Sequence, residues 1–325
     1  MTPFSPTMSP MHVRTLRIPV AAAVAAVLLT LLGPGCGPSE PSPKAPGAKI
    51  KAVATIGMIT DIVSEVGGDR VEADGLMAPG VDPHLYKPGE GDVRRLSGAD
   101  VIFYNGLGLE GKMGELFERM AARKPTVAVT EGLDPKQLRS PPEFEGHADP
   151  HVWFDVKLWM HAVGRVEQAL AKLDPEHAAE YRSRAEAYLR KLEELDAYAR
   201  SRIASIPKER RVLVTAHDAF GYFGRAYDIE VAGLQGVSTE TDFGPADVKR
   251  LADLLTARKV KAIFVESSVP KRSIEAVQAA TRAGGHEVAV GGELFSDALG
   301  DAGTEAGTYV GMVRHNVDTI VKALK

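Results

Sequence analysis

The stretch DPEHAAEYRSRAEAYLRKLEELDAYARSRIASIP, running from Asp174 to Pro207, decides how this chain is organised. Asp174 suits a helix N-cap, and Pro175 suits the first helical position, where a missing amide costs nothing. Beyond them Ala178, Tyr181, Ala185, Tyr188, Leu189, Leu192, Leu195, Tyr198 and Ala199 recur mostly at three- and four-residue spacing, the period of one buried helix face. Pro207 closes the run. The spacing predicts one long helix from about Glu176 to about Ile203. Between two arrays of alternating strands and helices it reads as a rigid connector. The plainer alternative is one surface helix of the second array.

Working outward toward the N-terminus, strands are expected over 49–56, 71–77, 100–104 and 126–129. Helices are expected over 58–66, 89–96, 109–123 and 156–173. Toward the C-terminus, strands are expected over 211–216, 229–234 and 260–266, with a last strand beginning at 287–290. The matching helices fall over 219–226, 245–259, 269–283 and 304–324. Such alternation implies an α/β fold in which two (βα)4 lobes with parallel sheets flank the long helix. The likeness between the arrays is one of pattern, with no clear sequence repeat. The expected divisions are a first lobe over 49–173, the linking helix over 174–206 and a second lobe over 207–325.

Histidines at the edges of this pattern carry the chemistry. Asp82-Pro83-His84 and Asp149-Pro150-His151 repeat one triplet, in which proline stiffens the loop that presents the imidazole. Neutral imidazole is the commonest transition-metal ligand. Asp-Pro is also a common turn opener, so two ordinary turns are an equal reading of the triplets alone. Position adds to this. His84, His151, His217 and Asp297 all follow C-terminal ends of expected strands, where open α/β sheets bind ligands, and two come from each array. The expectation is one metal ion in the cleft between lobes, held by His84, His151, His217 and Asp297.

The N-terminus reads as an address. Arg14 and Arg17 precede the apolar run from Ile18 to Leu32, the layout of a secretory signal over 1–35, with Met11 a candidate start. The run is short for a membrane span. Cys36, the single cysteine, excludes an internal disulfide and sits where bacterial lipoproteins carry their lipid. Gly35 fits that pattern, while Leu32 stands four places before the cysteine rather than three. Residues 36–48, rich in Pro, Ser and Gly, read as a tether. The 39 basic and 43 acidic residues leave a net charge of −4, which argues against a nucleic-acid partner.

Several strings together resemble a known family. Val214-Thr215-Ala216-His217-Asp218-Ala219-Phe220-Gly221-Tyr222-Phe223, Gly233-Leu234-Gln235-Gly236-Val237-Ser238-Thr239, Ala262-Ile263-Phe264-Val265-Glu266-Ser267-Ser268 and Gly291-Gly292-Glu293-Leu294-Phe295-Ser296-Asp297 lie in the second half. With the two Asp-Pro-His triplets and Val152-Trp153-Phe154-Asp155, the chain from about Lys51 onward is similar to the metal-binding substrate-binding lipoproteins of bacterial zinc and manganese ABC importers, treponemal-type receptors in particular. The resemblance implies two four-stranded lobes on a long backbone helix. It assigns His84 and His151 as first-lobe ligands and His217 and Asp297 as second-lobe ligands. It also implies capture of a divalent ion outside the cytoplasmic membrane, delivery to a membrane permease, a monomer, and no enzymatic activity.

Three imidazoles and one carboxylate favour Zn(2+) on ligand softness. Manganese-selective relatives often carry Glu at the place of His217. Dedicated zinc receptors often carry a His-rich loop before the second triplet, where this chain has only His147 with Glu143 and Glu145, and that keeps Mn(2+) open. Glu266 ends a strand near the expected cleft and is a candidate either to orient a ligand imidazole or to serve as a helix N-terminal carboxylate, with Asn105 and Asp218 as lesser candidates for the orienting role, whereas His12, His147, His161, His177, His286 and His315 need no role. Two rival readings are a surface adhesin of the same fold and a zinc hydrolase; the chain carries no HExxH and no Gly-x-Ser-x-Gly motif to support the latter.

Overall fold

Buried on both faces except at Lys51, strand β1 (Ile50–Ala54) has the pattern of a central parallel strand. In the computed structural model it pairs with β2 (Val71–Gly75) on one side and β3 (Val101–Tyr104) on the other. With β4 (Thr126–Ala128) the order is β2-β1-β3-β4, all parallel. The structure describes residues 1–2, 47–144 and 146–325, so the expectations for the signal segment, Met11, His12, Cys36 and Glu145 lie outside the described residues.

Helix α1 (Gly57–Gly67) buries Met58, Ile59, Ile62, Val63 and Val66, one face of a regular helix, and ends at Gly68. The next crossover is α2 (Glu90–Gly98). The helix expected over 109–123 is shorter: a 3-10 turn at Gly111–Met113 precedes α3 (Gly114–Ala121). Two glycines weaken a helix here. The Glu110 carboxylate also faces backward, accepting the amides of Asn105 (2.7 Å) and Gly106 (3.3 Å).

Helix α4 (Val156–Leu173) starts at Asp155, whose side chain accepts Leu158 N–H at 3.2 Å. The long helix α5 (Ala178–Ala204) follows a 3-10 turn at Pro175–His177. Its 27 residues span about 40 Å at 1.5 Å per residue. Tyr181, Ala185, Tyr188, Leu192, Leu195, Ala199 and Ile203 are its buried face. Tyr188 donates to Asp61 on α1 at 2.6 Å, while Tyr198 and Arg202 donate to Asp318 on α9 (Tyr309–Leu324). The helix therefore packs on elements of both halves, which is the connector reading.

The second half holds β5 (Val212–His217), β6 (Glu230–Gln235), β7 (Ala262–Glu266) and β8 (Ala289–Leu294), linked by α6 (Gly221–Tyr227), α7 (Pro245–Arg258) and α8 (Arg272–Ala283). Its parallel strands form two hydrogen-bonded pairs, β5-β6 and β7-β8, with β5 lying beside β7. At the site end of the β5–β7 seam, His217 N–H goes to a Glu266 side-chain oxygen instead of a strand carbonyl.

β8 runs on through Gly291 and Gly292, which the sequence pattern places after the strand. A Cβ at Gly291 would stand 2.8 Å from Ala323 and from Phe264, so glycine here marks a close approach within the strand. The register shift opposite Ile263/Phe264 and φ +144° at Gly292 mark a bulge. The last helix starts at Tyr309, five residues later than expected. Thr308 is extended and its hydroxyl accepts Gly311 N–H at 3.1 Å, a cap that ends the preceding turn.

One apolar core runs from β1 and α1 through α4 and α5 to α9. A smaller one lies between the second-half strands and α7 and α8, around Leu251, Leu255, Ile274 and Val277. Aromatic residues stitch the large core across the halves. Phe154 stacks on Phe220 with centroids 4.2 Å apart, Trp153 Nε1 donates to Ser296 O at 3.0 Å, and Tyr309 OH donates to Trp153 O at 2.6 Å.

Candidate metal centre

Three loops and one strand end meet at one point. His84 comes from the loop after β2, His151 from the loop after β4, His217 is the last residue of β5, and Asp297 follows β8. One donor atom from each lies within 4.8 Å of all the others, and all four residues are buried. His84 Nε2 and His151 Nε2 are 3.2 Å apart, His217 Nε2 and Asp297 Oδ2 3.3 Å, His151 Nε2 and Asp297 Oδ1 3.5 Å, and His84 Nε2 and Asp297 Oδ2 3.9 Å. Donors bound at ~2.0–2.1 Å to a tetrahedral ion stand ~3.3–3.4 Å from one another. The cluster therefore has the dimensions of a single first coordination shell.

Donor satisfaction points the same way. His217 Nε2 and both Asp297 carboxylate oxygens are buried with no hydrogen-bond partner among the described residues. Buried polar atoms left this way are costly unless something binds them. A divalent cation meets all three needs at once, and the donor set of three imidazoles and a carboxylate suits zinc or manganese.

The opposite edges of two rings are fixed by carboxylates. His151 Nδ1 lies 2.8 Å from Asp149 Oδ1, which also accepts His151 N–H at 3.0 Å. Asp149 Oδ2 accepts from Arg139 at 2.6 Å. His217 Nδ1 lies 2.5 Å from Glu266 Oε2, while Glu266 Oε1 accepts His217 N–H at 2.9 Å. With Nδ1–H donated to a carboxylate, Nε2 is the nitrogen each ring turns toward the centre, and it binds metal once it carries no proton. His84 is held by its backbone: Asp82 Oδ1 accepts its N–H at 2.9 Å.

Charge inside the site follows from this geometry. Burial drives His84 down to about 3, against the pull of Asp297, so it stays neutral and able to bind metal. Burial also pushes His217 down, but the carboxylates of Glu266 and Asp297 outweigh it and hold this imidazole well above its ordinary value. Burial would raise Asp297, yet the three imidazoles, His217 first, hold it well below the usual carboxylate range.

The structure thus brings His84, His151, His217 and Asp297 together as expected. Glu266 stands against His217 as an orienting partner. Asn105 acts one step away, donating to Pro150 O at 3.0 Å and so fixing the loop that presents His151. Asp218 hydrogen-bonds to no ligand ring; burial raises it to about 6, and its amide serves the turn by donating to Gly236 O at 3.2 Å. His147 is exposed, His177 bonds to Asp174, and His161, His286 and His315 bond to the backbone carbonyls of Glu131, Val260 and Glu293, away from the cluster.

Sequence reasoning missed Asp149, Asp82, Arg139, Tyr222, Thr239 and Glu110 as supporting groups. The first two were readable, since an Asp two residues before an amide is an Asx-turn spacing. Tyr222 and Thr239 reach their partners across long stretches of chain, Arg139 reaches Asp149 from the far end of the intervening loop, and no local pattern announces any of them.

Comparison with known proteins agrees with this geometry. The family described as zinc-uptake complex component A, periplasmic (ZnuA), matches residues 52–323. The zinc-binding protein TroA of Treponema pallidum is 55% identical over 272 residues, covering 84% of this chain and 88% of that protein. The manganese-binding lipoprotein MntA of Bacillus subtilis is 47% identical over 304 residues, covering 93% and 98%. The solved structure of the periplasmic zinc-binding protein TroA superposes with a TM-score of 0.84 at 54% identity, covering 85% of this chain and 99% of that one.

Proposed function

Because this chain belongs to the ZnuA family of periplasmic zinc-uptake components, we propose that it captures Zn(2+), or Mn(2+), outside the cytoplasmic membrane and delivers it to the permease of an ABC importer. The observation that carries the proposal is the buried cluster of four donors at coordination spacing, with three donor atoms otherwise unpartnered. His84, His151, His217 and Asp297 are its proposed ligands. Four protein donors complete a tetrahedral shell, whereas catalytic zinc keeps a position open for water or substrate. Capture and delivery therefore fit the site better than hydrolysis, and the protein is not an enzyme.

The relatives just described are named for both zinc and manganese, and the site suits both. Three imidazoles with one monodentate carboxylate match zinc. Asp297 presents Oδ1 toward His151 and Oδ2 toward His217 and His84, so a bidentate grip would offer the extra oxygen that manganese takes readily. Lobes over 49–173 and 207–325, joined by the helix over 174–206, are part of the proposal. So are export by a signal over 1–35, lipid on Cys36 with a tether over 36–48, and a monomeric state.

Elemental mass spectrometry on the purified protein, prepared without affinity-tag metal, tests the reading. One equivalent of zinc or manganese, falling sharply in His217→Ala, is expected. A protein that retains no metal after loading and desalting would overturn it. A deletion strain that regains growth only with added metal would distinguish uptake from adhesion.

A further inference from the structure

The aspartate of each Asp-Pro-His triplet does two jobs. It fixes the histidine that follows, and it is tied to the other half of the molecule. Asp149 supports His151, and its backbone carbonyl accepts the Tyr222 hydroxyl at 2.9 Å. Asp82 supports His84 through Oδ1, and its Oδ2 accepts the Thr239 hydroxyl at 2.6 Å across 157 positions of sequence. The neighbour of Thr239 crosses the same gap, Glu240 pairing with Lys112 at 2.5 Å. Exposed ion pairs of this kind contribute little, so the half-buried hydroxyl–carboxylate bond is the main fastening.

The two ties differ in strength. Tyr222 is fully buried, and its oxygen also accepts Arg139 N–H at 3.0 Å. Thr239 stands on the loop 236–244, keeps 8% of its surface exposed and holds on by one hydroxyl. The same loop borders a cavity of about 570 Å³ lined by Gln235, Val237, Thr241 and Phe243, so one side of it faces open space instead of packed core. His84 is also the ligand with the least support. Its Nδ1 has no hydrogen-bond partner among the described residues, unlike those of His151 and His217, and at 3% it is the most exposed of the four.

We propose that Thr239 is a positioning residue whose hydroxyl latches the second half onto Asp82, so that undoing this one bond frees His84 first and sets how long the ion stays bound. This rests on the metal-capture reading above. While the latch is made, Asp82 is fixed at both oxygens and His84 is fixed with it. When it opens, the His84 turn is held only from its own half, and the site falls from four donors to three.

The test uses the full chain loaded with zinc, mixed rapidly with excess fluorescent chelator, in wild type, Thr239→Val and Thr239→Ser. Valine keeps the shape without the hydroxyl; serine restores the hydroxyl. Loading at one equivalent is expected for all three. Release from the valine variant is expected to be about 10- to 100-fold faster, the range for a lost hydrogen bond to a charged group. The serine variant should stay within about three-fold of wild type. Valine releasing at the wild-type rate, or serine as fast as valine, overturns the latch. Deuterium exchange of the segments around 80–88 and 236–244 in the metal-free chain reads the latch without metal. Faster exchange in valine but not serine supports it, and unchanged exchange overturns it. A wild type that holds no zinc overturns the capture reading, while this exchange result still decides on the latch.

Discussion

Replacing Glu266 by Gln keeps the length of the side chain and an acceptor for His217 N–H, now 2.9 Å away, but removes the charge that lies 2.5 Å from Nδ1. Two effects follow, and they pull in opposite directions. Loss of an anionic partner makes the imidazole a weaker donor, which costs about 10- to 100-fold in metal affinity, or about 1.4–2.8 kcal/mol. The second effect concerns protons. Without metal, Glu266 and Asp297 hold His217 well above its ordinary value, so an entering ion must displace a proton from this ring. His84 and Asp297 have none to lose near neutrality. The sign is therefore fixed. Protonated His217 stabilises the metal-free fold at low pH, and that stability is lost as pH rises through its raised folded value. Metal affinity runs the other way, rising about tenfold per pH unit until that value is passed. In Glu266→Gln burial regains weight and His217 is expected to deprotonate at lower pH. The affinity loss should be full in mild alkali and shrink as pH falls. Titration calorimetry in two buffers of different ionisation enthalpy counts the released protons directly. A variant that releases as many protons as wild type, with the same pH slope, would refute the reasoning.

Three further outcomes are expected. Asp149→Asn takes the charge from between His151 and Arg139, so metal affinity should fall about 10- to 100-fold. Stability should fall by about 1–3 kcal/mol as the Arg139 bond weakens, read by calorimetry and urea denaturation. Gly291→Ala places a methyl 2.8 Å from Ala323 and Phe264 and should cost about 1–3 kcal/mol in the urea midpoint while metal stoichiometry stays at one. Zinc at a hundred times its Kd should add about 2.7 kcal/mol to thermal stability, chelation should remove it, and His217→Ala should show no such shift in calorimetry.

The parts of this molecule that were legible in its sequence are those written in local periodicity. The buried face of α5 repeats at three- and four-residue steps, and β1, β3, β5 and β7 are short, mainly apolar runs. The four proposed ligands were legible from motif and position together: the Asp-Pro-His triplets marked His84 and His151, while His217 ends β5 and Asp297 follows β8 closely. Local pattern failed where a tertiary contact reverses the meaning of a residue. Gly291 and Gly292 read as a strand end because glycine usually interrupts strands, yet they lie inside β8, where the α9 side chains Ala323 and Thr319 pack against Gly291 and Gly292 respectively. Thr308 lies within an apolar helical pattern, and only its extended backbone and the bond to Gly311 reveal a cap.

The supporting shell was the least legible, for a physical reason that bears on how the site works. A ligand must lie on one strand end, but the group that steadies it can come from anywhere the fold brings near. Here it comes twice from the opposite half. Gly221 shows how far this reaches: a Cβ there would strike the Arg139 guanidinium, so the start of α6 in the second half is shaped around an arginine from the first. That arginine holds Asp149, which holds His151. A site steadied across its own cleft, above a continuous core of α1, α4, α5 and α9, cannot open by a wide swing without breaking that core. Under the proposed function, release would then proceed by small local steps, and the proposed ligand with the weakest tie to the opposite half, His84, would leave first.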